Sequence, residues 1–300
     1  MNDRCFLGAD LGGTQLRMAA VTPEGHLATE VFSVSTGRDF GPSELRSQLA
    51  ALADRLRTRL SRPIAGLGIG TAGVIRPGGL TQVENLPRLK GVDISELVRS
   101  VADWPVRIEN DARCFALAEA LYGAGRGARH LCGITLGTGV GCGVIVDGRL
   151  HRGASSSAGE VWCIPLRGAP LEEALSGAGI VRGYATEGGK ASGIDGAAAV
   201  ADLARGGDVA AAAAWRGFGG DLAFLCQCVL SLLDPERIVI GGSLAASRDL
   251  FDAFLRPPLG AAANRIAYAD LGPAAGVIGA AALNIVNEQG SAGSGPGPSR

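Results

Sequence analysis

Hydrophobic and polar positions alternate along the first third of the chain between helix-like and strand-like spacing. The segment 43–60 repeats leucine every three or four residues, as on one face of a helix. The apolar run "IAGLGIGTAG" that follows ends in a glycine turn and predicts a buried strand. "DISELVRSVADW", "PVRIEN" and "DARCFALAEALYG" then predict helix, strand and helix. This alternation predicts an α/β chain built on mixed sheets.

The second half reads as mostly helical. Helical spacing covers "LEEALSGAGIVRGYATEG", "GAAAVADLARGG" and "AAAAAWRGFGGDLAFLCQCVLSLLD" before the predicted strand and turn "ERIVIGGSLAAS". We predict a closing helix over 276–288 and a disordered Gly/Ser/Pro tail over 289–300. The longest apolar run, "AFLCQCVLSLL", is expected to be too short to cross a bilayer.

One pattern occurs twice. Segments 7–27 and 132–150 share an apolar strand, a Leu-Gly turn, a second apolar strand and an acidic-Gly turn before a third strand. The acidic-Gly pairs, Glu24-Gly25 and Asp147-Gly148, suit tight hairpin turns because glycine accepts a positive φ. Two similar units predict two similar domains, as does a length of 300 residues.

Composition narrows the classes of function. A net charge of -1 gives no reason to expect nucleic acid or an acidic membrane as a partner, and a hydrophobic share of 47% favours a well-packed globular protein. The seven cysteines mostly stand in apolar runs, where buried free thiols are the expected state. The start of the chain lacks a basic region followed by a long apolar stretch, so we expect a cytoplasmic protein.

Both Leu-Gly turns could bind phosphate, because glycine-rich backbone lets several N–H groups converge on one anion; simple hairpins are the alternative. Asp10 beside the first turn could hold Mg²⁺ or its water shell, or could be a turn residue bonding its own backbone. Thr14 and Thr138 could donate hydroxyls to the same phosphates, whereas Arg17 reads equally well as a surface arginine. The spacings of a P-loop and of a dinucleotide fingerprint are both missing.

Asn110 and Asp111 stand at a predicted strand-to-helix junction, where α/β sheets gather their ligands. Serine hydrolase chemistry is disfavoured because "GASSSAGE" does not match G-x-S-x-G. The three histidines show no spacing of a metal pair.

These motifs, in this order, resemble those of the ROK family of sugar kinases and transcriptional repressors, over residues 5 to 288. "DLGGTQLR" and "GITLGTGVGCGVIVDGRLHRGASSSAGE" resemble its two phosphate motifs, the second leading into a sugar-binding glutamate. "GIGTAGVI" resembles its sugar-side turn, and "ENDARCFALAEALYGAGRGARH" its catalytic segment. The resemblance implies a duplicated, actin/hexokinase-like (ribonuclease H-like) two-domain α/β ATPase fold with an interdomain cleft.

The resemblance also implies a role for each matching residue. Asp111 would be the general base for a sugar hydroxyl, ATP the phosphoryl donor and Mg²⁺, near Asp10, its companion ion. Sugar contacts would come from Gly70, Thr71, Gly73, Asn85, Asn110, Asp111, Glu160 and Glu172. Nucleotide contacts would come from Asp10, Gly12, Gly13, Thr14, Arg17, Gly137, Thr138, Gly139, Gly241 and Gly242. Asn85 could instead be a turn residue, and Glu160 could cap a helix.

The chain departs from the family pattern after Glu160. The family has Glu-x-Gly-His followed by a zinc cluster of cysteines, whereas this chain reads Glu160, Val161, Trp162, Cys163 and then a loop shorter by about ten residues. We therefore expect no zinc site. Packing by Trp162 and Ile164 is the hypothesis for what replaces the metal.

The expected activity is ATP-dependent phosphorylation of a hexose, with the 6-hydroxyl of glucose first; N-acetylmannosamine, N-acetylglucosamine and fructose stay open. A sugar-sensing regulator is the alternative from another class, disfavoured by the lack of a DNA-binding domain before Cys5; an actin-type assembly protein is a third.

The expected domains are 1–111 (small), 112–275 (large, with the adenosine site) and the helix 276–288, which packs back on the small domain. The family resemblance implies a homodimer.

Overall fold

The computed structural model describes residues 3–76, 79–81, 83–99, 101 and 103–292, with side chains described as far as residue 286. The chain divides into two compact units. The first comprises Met1–Gly123, Arg152–Ala158 and Pro273–Arg300, and the second comprises Ala124–His151 and Gly159–Gly272. The strand-to-helix junction at Asp111 and the helix after it thus lie inside the first unit, whereas the sequence placed the boundary directly after Asp111.

Runs of strands and helices follow one another along the chain. The strands are β1 Cys5–Leu11, β2 Gln15–Val21, β3 Phe32–Ser35, β4 Ile64–Thr71, β5 Val74–Arg76, β6 Gly79–Thr81, β7 Val106–Asn110, β8 Leu131–Leu136, β9 Val140–Val146, β10 Arg149–Leu150, β11 Pro165–Leu166, β12 Ala169–Pro170, β13 Arg237–Gly241 and β14 Ile266–Tyr268. The α-helices are α1 Pro42–Arg57, α2 Ile94–Arg99, α3 Asp111–Tyr122, α4 Gly177–Thr186, α5 Gly196–Arg205, α6 Val209–Leu233, α7 Arg248–Leu255 and α8 Ala275–Ala292.

The two units are built on sheets of the same topology. The first sheet has the order β3-β2-β1-β4-β7 and the second the order β10-β9-β8-β13-β14. In each, the first strand pairs antiparallel with the second and parallel with a later strand. Gly25 and Gly148 adopt positive φ angles of 85° and 73° in the acidic-Gly turns, as these turns require. The predicted duplication and mixed α/β fold are therefore confirmed.

Each sheet packs against its own hydrophobic core. In the first unit the predicted leucine face of α1 is buried, with Leu45, Leu49 and Leu56 fully enclosed. In the second unit α6 contributes Trp215 and Phe218, whose rings meet Phe251 of α7 at centroid distances of 6.1 and 5.2 Å. Aromatic pairs of this kind add about 0.5–1.5 kcal/mol beyond the burial of their area. The hydrophobic core of the second unit thus packs around α6.

The cysteines match the predicted free thiols only in part. All seven are free, but five are buried, Cys228 is half-buried and Cys163 is exposed. Five of the seven thiols are thus shielded from reagents in solvent.

Two sequence predictions differ from the structure. The helix expected from Leu171 is instead a 3-10 turn, Leu171–Glu173, after which Ser176 caps a separate helix, α4. The closing helix runs to Ala292, so the predicted tail over 289–300 begins in helix and its remainder, 293–300, lies outside the described residues. Helix α6 is 25 residues long and could cross a membrane by length and composition alone, but 44% of its apolar window is buried inside the protein, so the expectation that it does not span a bilayer stays a prediction.

Helix α8 returns to the first sheet at backbone contact. A methyl group on Gly8 of β1 would lie 1.9 Å from the carbonyl oxygen of Val277, and one on Gly68 of β4 would lie 1.7 Å from that of Ala280. A methyl group on Gly279 of α8 would likewise lie 1.8 Å from the carbonyl oxygen of Cys114 in α3. Glycine is required here because any Cβ would overlap a neighbouring backbone atom.

We expect Gly68→Ala to lower the denaturant midpoint of the protein, because overpacking a close-packed core costs about 1–3 kcal/mol and α8 cannot shift without losing its contacts. Gly217→Ala is the matched control, since Gly217 is an exposed glycine of α6 with nothing within 4 Å of its Cβ position. It should be neutral or stabilising by up to about 1 kcal/mol. Equal midpoints for the two variants would contradict the close packing of α8.

Candidate active site

The carboxyl ends of three neighbouring parallel strands meet at one edge of the first sheet. The register pairs Leu11 of β1 with Thr71 of β4, and Thr71 with Asn110 of β7. Asp10 stands one residue back from this row, and Asp111 one residue beyond it. The sheet thereby brings the ends of "GADLGG", "GIGTAG" and "ENDAR", three motifs distant in sequence, to a common edge.

Asp10 is held by an arginine and by the start of α8. Its carboxylate accepts a hydrogen bond from Arg17 Nη2, and Arg17 Nη1 donates to the carbonyl oxygen of Pro273 at 2.9 Å. A methyl on Gly276 would lie 2.8 Å from Asp10 Oδ2. The Asp10 side chain is only 13% exposed. Arg17 is therefore fixed beside Asp10, unlike a free surface arginine, and a mostly buried carboxylate stands at the N-terminal end of a helix, where negative charge is favoured.

The first glycine turn, Gly12–Thr14, is a tight loop between β1 and β2. Gly12 N–H donates to the carbonyl oxygen of Gln15 at 2.9 Å, and the hydroxyl of Thr36 donates to the carbonyl oxygen of Gly12 at 2.8 Å. Asn85 lies in a turn, as its alternative reading stated, and its Cβ would be 2.6 Å from a methyl on Gly13. A predicted sugar contact thus lies directly against a predicted phosphate turn.

Asp111 opens α3, and Asn110 caps it. The Oδ1 of Asn110 accepts the N–H of Arg113 at 3.2 Å, and its Nδ2 donates to the carbonyl oxygen of Gly73 at 3.1 Å. Asp111 Oδ1 accepts the N–H of Ala112 at 2.8 Å. Asn110 therefore ties the Gly73 turn to the start of α3, and a substrate hydroxyl would have to share the amide with these bonds.

Gly70 and Thr71 lie behind this edge. Thr71 is fully buried, and its hydroxyl donates to the carbonyl oxygen of Ala72 at 3.2 Å. A methyl on Gly70 would be 3.2 Å from Cys114 Sγ. Burial raises the pKa of the Cys114 thiol well above its usual value, and the nearby carboxylates of Glu109, Asp10 and Asp111 add to the rise. Gly70 and Thr71 therefore support the turn after β4 through packing and backbone contacts.

A buried charge network next to Asp111 was missed in the sequence. Glu109 and Arg113 are 3% and 2% exposed and form an ion pair at 3.1 Å. Arg152 Nε donates to the other oxygen of Glu109 at 2.5 Å, and Arg113 Nη2 donates to the carbonyl oxygens of Ser156 and Ala158 at 2.7 and 3.0 Å. The network anchors segment 152–158, which leads into Glu160. The spacing of Glu109 and Arg113, four residues apart, suits an ion pair but does not predict its burial.

The second glycine turn, Gly137–Gly139, joins β8 to β9 in the second unit. Gly137 N–H donates to the carbonyl oxygen of Gly139 at 2.9 Å, and Gly177 N–H donates to that of Gly137 at 2.8 Å. Glu172 Oε2 accepts the N–H of Val140 at 3.0 Å, and a methyl on Gly139 would lie 2.2 Å from this oxygen. Glu172, predicted as a sugar contact, thus braces the second turn with one carboxylate oxygen.

A cavity of about 710 Å³ opens beside this turn, entirely within the second unit. Gly137 and Thr138 line it together with Gly177 and Ala178, the first residues of α4. The N-terminus of a helix favours anions, so this end of the cavity suits phosphate. The walls farther along are alanines of α5, Trp215 of α6 and the segment after β13. This volume and lining suit a nucleoside.

Gly241 and Gly242 end β13 at the cavity. Gly242 has a φ of 86°, and a methyl there would lie 2.2 Å from the carbonyl oxygen of Leu136. The backbone therefore passes from β13 to the lining residue Ser243 through a position that favours glycine. The predicted adenosine-side glycines shape the cavity by backbone geometry.

Glu160 bonds a neighbouring indole and makes no helix cap with its side chain. Its Oε2 accepts the Nε1–H of Trp162 at 2.7 Å, and Cys163 is exposed with its Sγ 3.2 Å from the carbonyl oxygen of Glu160. Among the described residues, no group of three or more His, Cys, Asp or Glu side chains could hold a metal ion. The expectation of a zinc-free loop stays a prediction.

The donors around the first turn suit Mg²⁺. One oxygen of Asp10 is engaged by Arg17, and a second carboxylate oxygen remains for an ion or for its water shell. Hard oxygen donors of this kind, few in number, are typical of Mg²⁺ that travels with a nucleotide. Thr135 stands at the position of Asp10 in the second sheet, so the repeated unit offers no carboxylate there.

The chain is similar to known proteins both in sequence and in fold. The ROK family model matches residues 6–286. A glucokinase from Halalkalibacterium halodurans is 31% identical, over 93% of this chain and 94% of its own length. An N-acetylgalactosamine kinase from a Shewanella strain is 29% identical, over 93% and 96%.

A ROK family glucokinase from Streptomyces griseus, solved with glucose and AMPPNP, superimposes with a TM-score of 0.77 at 25% identity. It covers 93% of this chain and 98% of its own. The family-model match over residues 6–286 spans the glycine turns, the Asp111 junction and Glu160. The chain belongs to the ROK family and has its duplicated actin/hexokinase-like fold.

Proposed function

We propose that the protein is an ATP-dependent sugar kinase that transfers the γ-phosphoryl group to a hexose hydroxyl, with Asp111 as general base. One observation carries the proposal: Asp111 stands at the sheet edge that also holds Asp10 and the first glycine turn. A base and a phosphate site on one edge are what phosphoryl transfer to an alcohol needs, because this chemistry depends on positioning and charge neutralisation.

The role of Asp111 is to take the proton that the sugar hydroxyl loses as its oxygen bonds to phosphorus. The products are the sugar phosphate and ADP, and the proton leaves with the base. The bond from Ala112 N–H orients the Asp111 carboxylate, which is assigned to the sugar hydroxyl. Asn110, Asn85 and Glu160 are assigned to neighbouring hydroxyls, and Gly73 to the turn beside them.

The cavity of the second unit is assigned to the nucleoside, and the two glycine turns to the phosphates. Backbone N–H groups of Gly13 and Gly139, with the hydroxyls of Thr14 and Thr138, are assigned as the donors. Gly12 and Gly137 shape the turns, because their own N–H groups close the two loops. Arg17 neutralises charge beside Asp10. Mg²⁺ would supply further neutralisation of the phosphate oxygens when bound with the nucleotide, with Asp10 holding its water shell.

Glucose is the first candidate substrate, and its acceptor would be the 6-hydroxyl. Glucokinase names among the relatives support this choice, while the Shewanella relative adds N-acetylgalactosamine to the open alternatives N-acetylmannosamine, N-acetylglucosamine and fructose. The family resemblance implies a histidine beside the sugar at the position of Cys163. Because Cys163 lacks the imidazole, the preference among these sugars is expected to differ from that of relatives with the histidine. A homodimer and a cytoplasmic location stay predictions.

The first test is ADP release with ATP, Mg²⁺ and a panel of these hexoses. We expect at least one sugar to stimulate release, and Asp111→Asn to lower kcat by about 10²–10⁴-fold while the protein stays folded. Asp54→Asn, an exposed aspartate of α1, is the matched control and should keep wild-type kcat. A chain that no sugar stimulates, or an Asp111→Asn variant with full activity, would sink the proposal.

The second test concerns the nucleotide cavity. Ala198 lines it and is exposed, so Ala198→Leu adds volume inside the cavity without disturbing the core. We expect the KM for ATP to rise by about tenfold, as lost pocket contacts of roughly 1–3 kcal/mol imply, with the sugar KM unchanged. Ala212→Leu, at an exposed position of α6 away from the cavity lining, is the control. A rise in the sugar KM alone would place the nucleotide elsewhere.

A further inference from the structure

The short loop after Cys163 is an ordered β-hairpin. Strands β11 and β12 pair Pro165 with Pro170 and Leu166 with Ala169. The two residues between them, Arg167 and Gly168, have positive φ angles of 50° and 85°, as in a type I′ turn. An arginine in the left-handed region costs about 1–2 kcal/mol. The Arg167 side chain, 68% exposed, makes one ionic contact that works against this cost.

That contact is an ion pair with the central helix of the second unit. Arg167 Nη2 donates to Asp221 Oδ2 of α6 at 2.5 Å. The Asp221 residue is only 9% exposed, and a buried carboxylate is costly unless a donor meets it. The hydrogen bond with Asp221 raises the pKa of the Arg167 guanidinium above its ordinary value. The tip of the hairpin is thus fixed to the core.

The base of the hairpin carries two functional carboxylates, one on each side. Leu171 N–H donates to the carbonyl oxygen of Ile164 at 2.8 Å, which closes the base, and Leu171 is fully buried. On the N-terminal side Trp162 packs against the core and holds Glu160. On the C-terminal side Glu172 accepts the Val140 N–H at the second glycine turn. One hairpin therefore determines the positions of both carboxylates.

We propose that the Arg167–Asp221 ion pair is a metal-free brace that positions Glu160 for the sugar and Glu172 for the second glycine turn. The inference rests on the proposed function for the roles of the two carboxylates. Arg167 lies in the hairpin and Asp221 in α6. Both are positioning residues, because neither belongs to the assigned sugar or nucleotide contacts. The brace takes the structural place that the resemblance gives to zinc, and it extends the hypothesis of packing by Trp162 and Ile164.

The test compares Arg167→Ala and Asp221→Asn with wild type by steady-state kinetics and by hydrogen exchange of segment 160–172. We expect both variants to raise the sugar KM by at least about threefold through Glu160, and the KM for ATP by a smaller factor through Glu172. The kcat should stay within about twofold, because loosening a ground-state contact acts on binding first. Exchange in 160–172 should quicken. The double variant Arg167→Asp/Asp221→Arg should recover part of the lost affinity and protection.

Arg265→Ala is the matched control, because Arg265 forms an ion pair of the same length, 2.5 Å, with Asp234 in the same unit. It should leave the sugar KM and the exchange of 160–172 unchanged. If Arg167→Ala fails to fold, Asp221→Asn and the double variant answer the question. A sugar KM that stays at the wild-type value, or equal changes in all kinetic constants, would overturn the brace.

Metal content separates the brace from a hidden metal site. Wild-type protein dialysed against a chelator should keep its slow exchange in 160–172 and its sugar KM. Stoichiometric zinc whose removal loosens the segment would overturn the inference. If wild type shows no sugar-stimulated ADP release, the proposed function fails by itself, and the exchange of 160–172 in Arg167→Ala still decides whether the ion pair holds the hairpin.

Discussion

The candidate site of the first unit depends on the backbone contact between α8 and the strands β1 and β4. Carbonyl oxygens of α8 lie so close to Gly8 and Gly68 that no side chain fits between helix and sheet. This contact places Gly276 against Asp10 and Pro273 beside Arg17, so the end of the chain completes a site begun by its first strand. The same helix meets α3 at Gly279, and α3 begins at Asp111. Distant segments are thereby fixed to one sheet edge with little freedom to move.

Much of this arrangement could be predicted from the sequence because it depends on local patterns. Strand and helix periodicity, the repeated Leu-Gly turn and the Asn110-Asp111 junction are all encoded by neighbours in the chain, and the structure places them as expected. The resemblance to a family then supplied roles that no spacing could supply. Where a pattern was ambiguous, as from Leu171 to Ser176, a capping serine divided the expected single helix into a turn and a separate helix.

The contacts that the sequence did not predict are long-range and polar. Arg113 reaches the carbonyls of segment 152–158, and Arg167 reaches Asp221, over sequence separations of more than forty residues. Nothing local distinguishes these arginines from surface ones, because their partners become neighbours only after the sheets have formed. Thr71 shows a different limit of the sequence: its motif predicts a ligand contact, which stays a prediction, and nothing in the motif indicates that packing encloses the side chain. Local periodicity therefore predicts the strands and helices, whereas the partners and burial of a side chain are known only from the tertiary structure.

The duplicated sheets also show where the two units have diverged. The turn after β1 is accompanied by Asp10 paired with Arg17, whereas the equivalent register pair in the second sheet is Thr135 with Gly141, which carries no charge. The second turn is braced by Glu172 and opens on a cavity lined by the start of α4. A phosphate chain bound by two uncharged turns would keep most of its repulsion, whereas two charged turns would crowd carboxylates around anions. Under the proposed function, the charged turn is assigned to the ion and the backbone turn at a helix N-terminus to phosphate. The duplication thus supplies two scaffolds of one design, and their unequal side chains are the reason for proposing a different part for each.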